Sequence, residues 1–243
     1  MDYAPVFARH KRIAFQLSGG KDSIASLHML HPFWDRMTVY WLDTGDTLPE
    51  VRQVVTELSD QLPHFVRIAS SAADVIAQHG IPSDIVPAKG TPMGVAATGG
   101  GVLIQDRYSC CLRTVMLPMH QRMLDDGITL IVRGQKSSDA NKSPLRSGDT
   151  ENGIEYLFPL EEWTDDEVLI YLRENGIQYP AVYDRGMRTA PDCATCSGWW
   201  EEGRAAYLKQ WHPLQYQEYQ SRLNTISDAV AGHIAAFNSE VQQ

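Results

Sequence analysis

The sequence predicts an α/β fold, a mostly parallel twisted sheet with helices on both faces, followed by a helical C-terminal segment. Three observations carry this prediction. Apolar runs of strand length occur at residues 13–17, 37–42, 65–69 and 128–132. Segments of helical period alternate with them, which calls for parallel neighbours joined by crossovers. Three of the runs end in loops rich in Gly, Asp or Arg, and sheets of this kind bind ligands beyond their carboxyl ends.

Each element has a local reason. The first run lies between Arg12 and Ser18 and passes through Ser18-Gly19-Gly20-Lys21-Asp22-Ser23 into an apolar helix, Ile24 to Leu30. The second ends in Asp43-Thr44-Gly45, and apolar residues at 48, 51, 54, 55, 58 and 62 predict a helix over 48–62. A short helix is expected over 74–78, and another over 112–124, directly after Cys110-Cys111, where Pro118 starts or kinks it. Residues 80–101, with three prolines and six glycines, and 135–153 read as irregular loops able to close over a substrate. Thr164 caps a helix running to about Arg173, Glu167 completes a capping box, and Gly176 stops it. Tyr216, Tyr219, Leu223, Ile226, Val230, Ile234 and Phe237 step by three or four along a helix over 213–238. That stripe is expected to pack on its own domain, with a subunit contact in a homo-oligomer as the alternative. The organisation is a nucleotide-binding domain over 1–200 and a helical extension over 201–243.

Composition excludes several classes. With 243 residues, 43% hydrophobic and 21% charged, the chain can bury a real core. No run approaches the ~18 to 20 apolar residues of a membrane span, and no apolar leader follows Met1, so a cytoplasmic protein without membrane contact is expected. The net charge of −9 is uneven: residues 85–146 carry 8 basic and 4 acidic groups, whereas 147–243 carry 6 and 16. A broad nucleic-acid face needs many phosphate-neutralising cations, so a local phosphate or nucleotide pocket fits better.

The glycine loop supplies such a pocket. Small residues between a buried strand and a helix let backbone N–H groups approach an anion, and Lys21 adds a full charge. Neither the Walker pattern nor the Gly-x-Gly-x-x-Gly fingerprint is present. The four cysteines form two clusters, Cys110-Cys111 and Cys193-Ala194-Thr195-Cys196. A shared metal site explains that grouping better than buried small hydrophobes or a redox disulfide. Adjacent ligands diverge, which favours an iron–sulfur cluster over zinc without excluding zinc.

Ser18-Gly19-Gly20-Lys21-Asp22-Ser23 resembles the pyrophosphate loop of the N-type ATP pyrophosphatases, whose fold is the adenine nucleotide alpha-hydrolase, Rossmann-like type. Leu42-Asp43-Thr44-Gly45, the cysteine pair before a helix, Arg133-Gly134 and Pro159-Leu160-x-x-Trp163-Thr164-Asp165-Asp166-Glu167-Val168 are similar to one branch of that superfamily, the phosphoadenosine phosphosulfate (PAPS) reductase family. The matching segments run from residue 13 to about 196. Within this family the adenylyl sulfate (APS) reductases bind a 4Fe-4S cluster through Cys-Cys and Cys-x-x-Cys, which the resemblance carries onto Cys110, Cys111, Cys193 and Cys196. Reductases of this family attack the substrate sulfur with a further cysteine near the C-terminus, and this chain has four cysteines in all. An intact Gly-Gly-x-Asp-Ser pattern goes, in this resemblance, with cleavage of ATP between the α and β phosphates.

The sequence therefore predicts an ATP pyrophosphatase of the family that uses ATP with magnesium, adenylates an acceptor and takes part in sulfur transfer. The alternatives are an APS or PAPS reductase using one of its four cysteines or a partner's thiol, and a non-catalytic nucleotide-binding iron–sulfur protein. Ser18, Gly19, Gly20, Lys21, Asp22 and Ser23 are expected on the β and γ phosphates. Asp43, beside Thr44 and Gly45, is expected to bind magnesium or orient the nucleotide, Arg133 to contact the α phosphate, and Gly134 to let the nucleotide approach the backbone. Lys21, Asp22, Asp43 and Arg133 are the catalytic candidates. Arg107, Arg113, Lys136, Lys142 and Arg146 are candidates for an anionic acceptor, nucleic acid among the classes. A sulfur- or electron-donor protein is the further expected partner.

Overall fold

The computed structural model describes residues 2–140, 142–200 and 203–242. The chain runs α1 (Ala4–Arg9), β1 (Ile13–Leu17), α2 (Lys21–Met29), β2 (Thr38–Asp43), α3 (Pro49–Ser59), β3 (Phe65–Ala69), α4 (Ala72–His79), β4 (Ile81–Ser83), α5 (Pro92–Thr98), β5 (Ile104–Asp106), α6 (Arg107–Cys111), α7 (Leu117–Asp125), β6 (Leu130–Arg133), β7 (Thr150–Glu151), β8 (Ile154–Leu157), α8 (Asp165–Glu174), α9 (Arg204–Trp211) and α10 (Pro213–Val241). Six strands form a sheet in the order β3-β2-β1-β6-β8-β7, parallel except for the β7–β8 pair. Strand order reverses between β1 and β6, so the crevice for a ligand opens where Ser18 and Arg133 leave the sheet.

Alternation along the strands buries both faces. Ile13, Phe15, Leu17, Val39, Trp41, Leu130 and Val132 point into the larger core, with Ile24 and Leu27 of α2, Val51 and Val55 of α3, and Val168 and Leu172 of α8. Ala14, Tyr40, Leu42 and Ile131 face the smaller core with Met119 and Met123 of α7. Each fully buried Val, Leu, Ile or Met side chain contributes roughly 1.5–3 kcal/mol. Tyr207 and Leu208 of α9 and Tyr219 of α10 belong to the larger core, so the C-terminal extension packs into the α/β domain itself.

Several elements differ from the sequence expectation. The segment 80–101 holds β4, paired with β5, and α5, capped by the Thr91 hydroxyl that accepts from Gly94 N–H at 3.1 Å. The helix expected over 112–124 begins at Arg107 and includes the cysteine pair. A π-helical turn, Leu112–Met116, joins it to α7. Pro118 lacks the N–H that an α-helix would give to Thr114, which accounts for the widened turn. The hairpin β7–β8 turns at Asn152-Gly153, both with positive φ (51° and 81°), the sequence signal of a type I′ turn. Along α10 only the first part of the stripe packs: Tyr219 and Ile226 are buried, whereas Ile234 and Phe237 are exposed. No helix among the described residues is long and apolar enough to cross a membrane.

The capping box of α8 is formed as expected, with Thr164 Oγ1 accepting from Glu167 N–H and the Glu167 carboxylate accepting from Thr164 N–H. Thr164→Ala should cost about 1 kcal/mol, read as a lower urea midpoint at unchanged slope.

Candidate functional site

The site grows from the β1–α2 junction. Gly19 has φ +82°, and a Cβ there would lie 2.6 Å from Val51 Cγ1, so the loop can pass under α3 only with glycine. The Ser18 and Ser23 hydroxyls, expected on phosphate oxygens, hold the loop itself. Ser18 Oγ accepts from Gly20 N–H at 3.3 Å, and Ser23 Oγ accepts from Gly19 N–H at 3.2 Å and donates to Gly20 O at 2.9 Å. Lys21 N–H donates to Tyr183 Oη at 3.0 Å. The rest of the first turn of α2 carries amides that a helix cannot bond internally, groups that can receive an anion.

Two ammonium groups meet there. Lys21 Nζ lies 2.9 Å from Asp22 Oδ2 and 2.7 Å from Asp165 Oδ1, and Lys136 Nζ lies 2.6 Å from Asp22 Oδ1, 2.9 Å from Asp139 Oδ1 and 3.2 Å from Asp165 Oδ1. Both lysines are buried. Burial pushes their pKa values down, but the carboxylates outweigh it and hold both ammonium groups above the usual range. Lys136, expected on an acceptor surface, thus belongs to the phosphate loop. Asp165, from the Pro159–Val168 motif, and Asp139 complete the cluster.

Gly134 lies against the backbone of α2. A Cβ on it would lie 2.6 Å from Asp22 C and Ser23 N, so its small size serves the backbone contact between the β6 exit and α2. The side chain of Arg133, just before it, has no hydrogen bond or ion pair among the described residues, and burial lowers its pKa. The charged groups facing it are Asp192 and Asp139, with Tyr156 beside them. A half-buried guanidinium lacking a direct side-chain partner at the end of a parallel sheet is suited to meet an anion.

Asp43 is committed to arginines. Its buried carboxylate accepts from Gly45 N–H at 3.0 Å, from the Thr47 hydroxyl at 3.3 Å, from Arg52 Nη1 at 2.5 Å and Nη2 at 3.0 Å, and from Arg67 Nη2. Arg52 and Arg67 also lie over the Trp41 ring, 5.9 and 5.7 Å from its centroid. Magnesium would have to displace a bidentate guanidinium, so in this structure Asp43 orients two cations. Arg52 and Arg67 carry no motif of their own, and the sequence reading passed over them.

The four cysteines are free and line one cavity of ≈ 210 Å³ together with Arg107, Arg204, Arg222, Thr114, Asp46 and Trp199. Burial raises the thiol pKa of Cys110 and Cys193 and pushes Cys111 up to about 12. No three His, Cys, Asp or Glu residues among those described stand close enough to hold a single metal ion. Tetrahedral zinc with bonds of about 2.3 Å needs a tighter set. Four thiols spread around one cavity, with three arginines in its wall, fit an inorganic group larger than a single metal ion better. The cavity adjoins the crevice: Thr44 Oγ1 donates to the Asp192 carbonyl at 2.8 Å, and Asp192 both lines the cavity and faces Arg133.

The proposed acceptor residues do not form one surface. Arg107 pairs with Asp84 at 3.1 Å and lies over Trp199 and Tyr108, and Arg113 donates to Gln105 Oε1 at 2.9 Å. Lys142 bonds the Ser137 carbonyl, and Arg146 pairs with Glu161 and Glu162.

The model of the phosphoadenosine phosphosulfate reductase domain matches residues 12–198. The chain belongs to that family. It is 21% identical over 76% of its length to the adenosine 5'-phosphosulfate reductase of Allochromatium vinosum, covering 68% of that protein. It is 25% identical to the phosphoadenosine 5'-phosphosulfate reductase of Vibrio cholerae, over 76% of this chain and 68% of the relative. Among solved structures, the PAPS reductase of Candida auris in a phosphate complex superposes with a TM-score of 0.51 at 16% identity, covering 74% of this chain and 80% of the other. That likeness is one of fold. The PAPS reductase domain thus spans the loop, Asp43, Arg133 and all four cysteines, and stops before α9 and α10.

The Asp43 carboxyl is raised by burial but held below its ordinary 3.8 by Arg52, Gly45 and Arg67. Because the folded value is the lower one, the stability it supplies is present above that ordinary value and is lost as pH falls through the folded value. Asp43→Asn should cost about 2 kcal/mol at neutral pH and flatten the acid limb of the stability profile, measured by urea unfolding from pH 7 to pH 2.

Proposed function

We propose that this PAPS reductase-family chain is an enzyme that binds an adenine sulfonucleotide, APS or PAPS, in the crevice between β1 and β6 and reduces its sulfate to sulfite. The supporting observation is the shared wall between the crevice, with Arg133, and the four-thiol cavity. It sets the group that the four thiols would hold beside an anion site, where its charge can act on a bound sulfonucleotide. A thiolate attacks the substrate sulfur, the S–O bond to the nucleotide phosphate breaks, and the nucleotide leaves with the electron pair. The second thiol of the external dithiol protein that supplied this thiolate then attacks the inner sulfur of the S-sulfonated thiol, releasing sulfite and leaving that protein as its disulfide. The names of the relatives favour this reading over the ATP cleavage expected from the loop.

In this reading Cys110, Cys111, Cys193 and Cys196 hold a 4Fe-4S cluster, with zinc as the alternative. When bound, that group supplies positive charge and electron-accepting capacity beside the crevice. With all four cysteines engaged, the attacking thiol comes from the dithiol partner, and a reducing cytoplasm suits such a pair. Lys21, Lys136 and the first turn of α2 orient the nucleotide phosphate, and Arg133 neutralises charge at the leaving oxygen.

A second reading keeps a specific observation: the unbroken Ser18–Ser23 loop carries one buried lysine, Lys21, and is met by a second, Lys136, from the β6 exit. There the substrate is ATP with magnesium, pyrophosphate leaves, and an anionic acceptor is adenylated on the way to sulfur transfer.

Protein purified without oxygen decides between them. Sulfite formed from APS or PAPS with a dithiol supports the first reading; pyrophosphate from ATP without any sulfite overturns it in favour of the second; neither product removes both. Arg133→Ala should weaken binding of the true nucleotide at least about tenfold, roughly 1.4 kcal/mol, measured by calorimetry.

A further inference from the structure

The family domain ends at residue 198, yet two arginines beyond it reach the cysteine cavity. Arg204 opens α9, is 2% exposed, and donates from Nη1 to the Cys196 carbonyl at 3.0 Å. Arg222, in the middle of α10, donates from Nη1 to both the carbonyl and the hydroxyl oxygen of Thr195 at 2.9 Å, while its Nη2 pairs with Glu218. The same turn is gripped from the opposite side by Asp46, three residues past Asp43. Asp46 Oδ2 accepts from Thr195 N–H at 2.9 Å and from its hydroxyl at 2.7 Å, and the Asp46 carbonyl accepts from Ala194 N–H at 2.6 Å. Backbone groups of the Cys193–Cys196 turn are therefore fixed by Arg204, Arg222 and Asp46, the last also through its main-chain carbonyl.

Such bonds do two things. They remove the freedom of a short irregular turn, so its two thiols keep one spacing relative to Cys110 and Cys111 on α6. They also place guanidinium charge in the wall of a cavity whose ligands become thiolates on binding a metal group, and net charge around a cluster sets its reduction potential.

We infer that the C-terminal extension is part of the cysteine site, with Arg222 and Arg204 as positioning residues that hold the Cys193–Cys196 turn in its ligating conformation and bias the potential of the group it binds. This rests on the reading that the four cysteines act as one ligand set. Removing the extension cannot test it, because Tyr207, Leu208 and Tyr219 are core residues.

The test uses full-length Arg222→Gln and Arg222→Lys, with Thr195→Val as a second route to the same contact. In metal-free, reduced protein, hydrogen exchange of the peptide covering 193–197 should accelerate at least about tenfold in Arg222→Gln and Thr195→Val, while peptides from β1 and β6 keep their protection. After anaerobic reconstitution, iron loss to a chelator should accelerate by a similar factor in both. The reduction potential should fall in Arg222→Gln and return toward the parent value in Arg222→Lys, which keeps the charge. Unchanged exchange over 193–197 in both variants would overturn the inference. Failure of the parent protein to take up iron would instead remove the cluster reading, and the exchange comparison would still decide whether the arginines order the turn.

Discussion

Two ammonium groups buried side by side dictate the shape of the crevice. Lys21 and Lys136 are separated by 115 residues of chain, and Asp22 accepts from both, so the start of α2 and the exit of β6 are tied through one carboxylate. Leaving such a charge unpaired after burial costs about 3–5 kcal/mol. Asp165 from the first turn of α8 and Asp139 from the loop after β6 therefore have to be in place as well. Gly134 allows the approach by bringing no side chain between the two backbones. Three otherwise separate segments become one rim, in which both lysines are positioned and charged.

The same logic separates what the sequence makes legible from what it hides. Strand β1, the glycine turn, α2, α3 and the Thr164–Glu167 box announce themselves because their signals are local: a short apolar run, a cap, a period of three or four. Their boundaries fall within a few residues of the expected ones. The short β4, β5 and β8 are invisible for the opposite reason. Three or four residues cannot display a period, and each is a strand only because a partner lies beside it.

At the candidate site, the motifs draw attention to some residues and leave their partners unmarked. Asp43 stands out at the end of a strand, but Arg52 and Arg67, which saturate it, are unremarkable charges on α3 and β3 until the fold turns them over Trp41. Lys136 reads as one cation in a basic stretch, and only the crossover from β6 brings it under Asp22. Tyr183 and Asp46 share this character, since each acts through a contact spanning more than 140 residues. Spacing along the chain carries information about local geometry and very little about which distant charge will complete a pair.

Helix α10 changes character along its 29 residues. Its first part fills the core and delivers Arg222, whereas residues 231–242 are exposed throughout. The border lies near Val230. A fluorophore, affinity handle or fused domain attached past that border would ride on a stiff rod of about 1.5 Å per residue, clear of the crevice and of the sulfur atoms. The same graft placed a few turns earlier would lever the cysteine loop out of register. For anyone building on this scaffold, one helix offers both its safest attachment point and its least forgiving one.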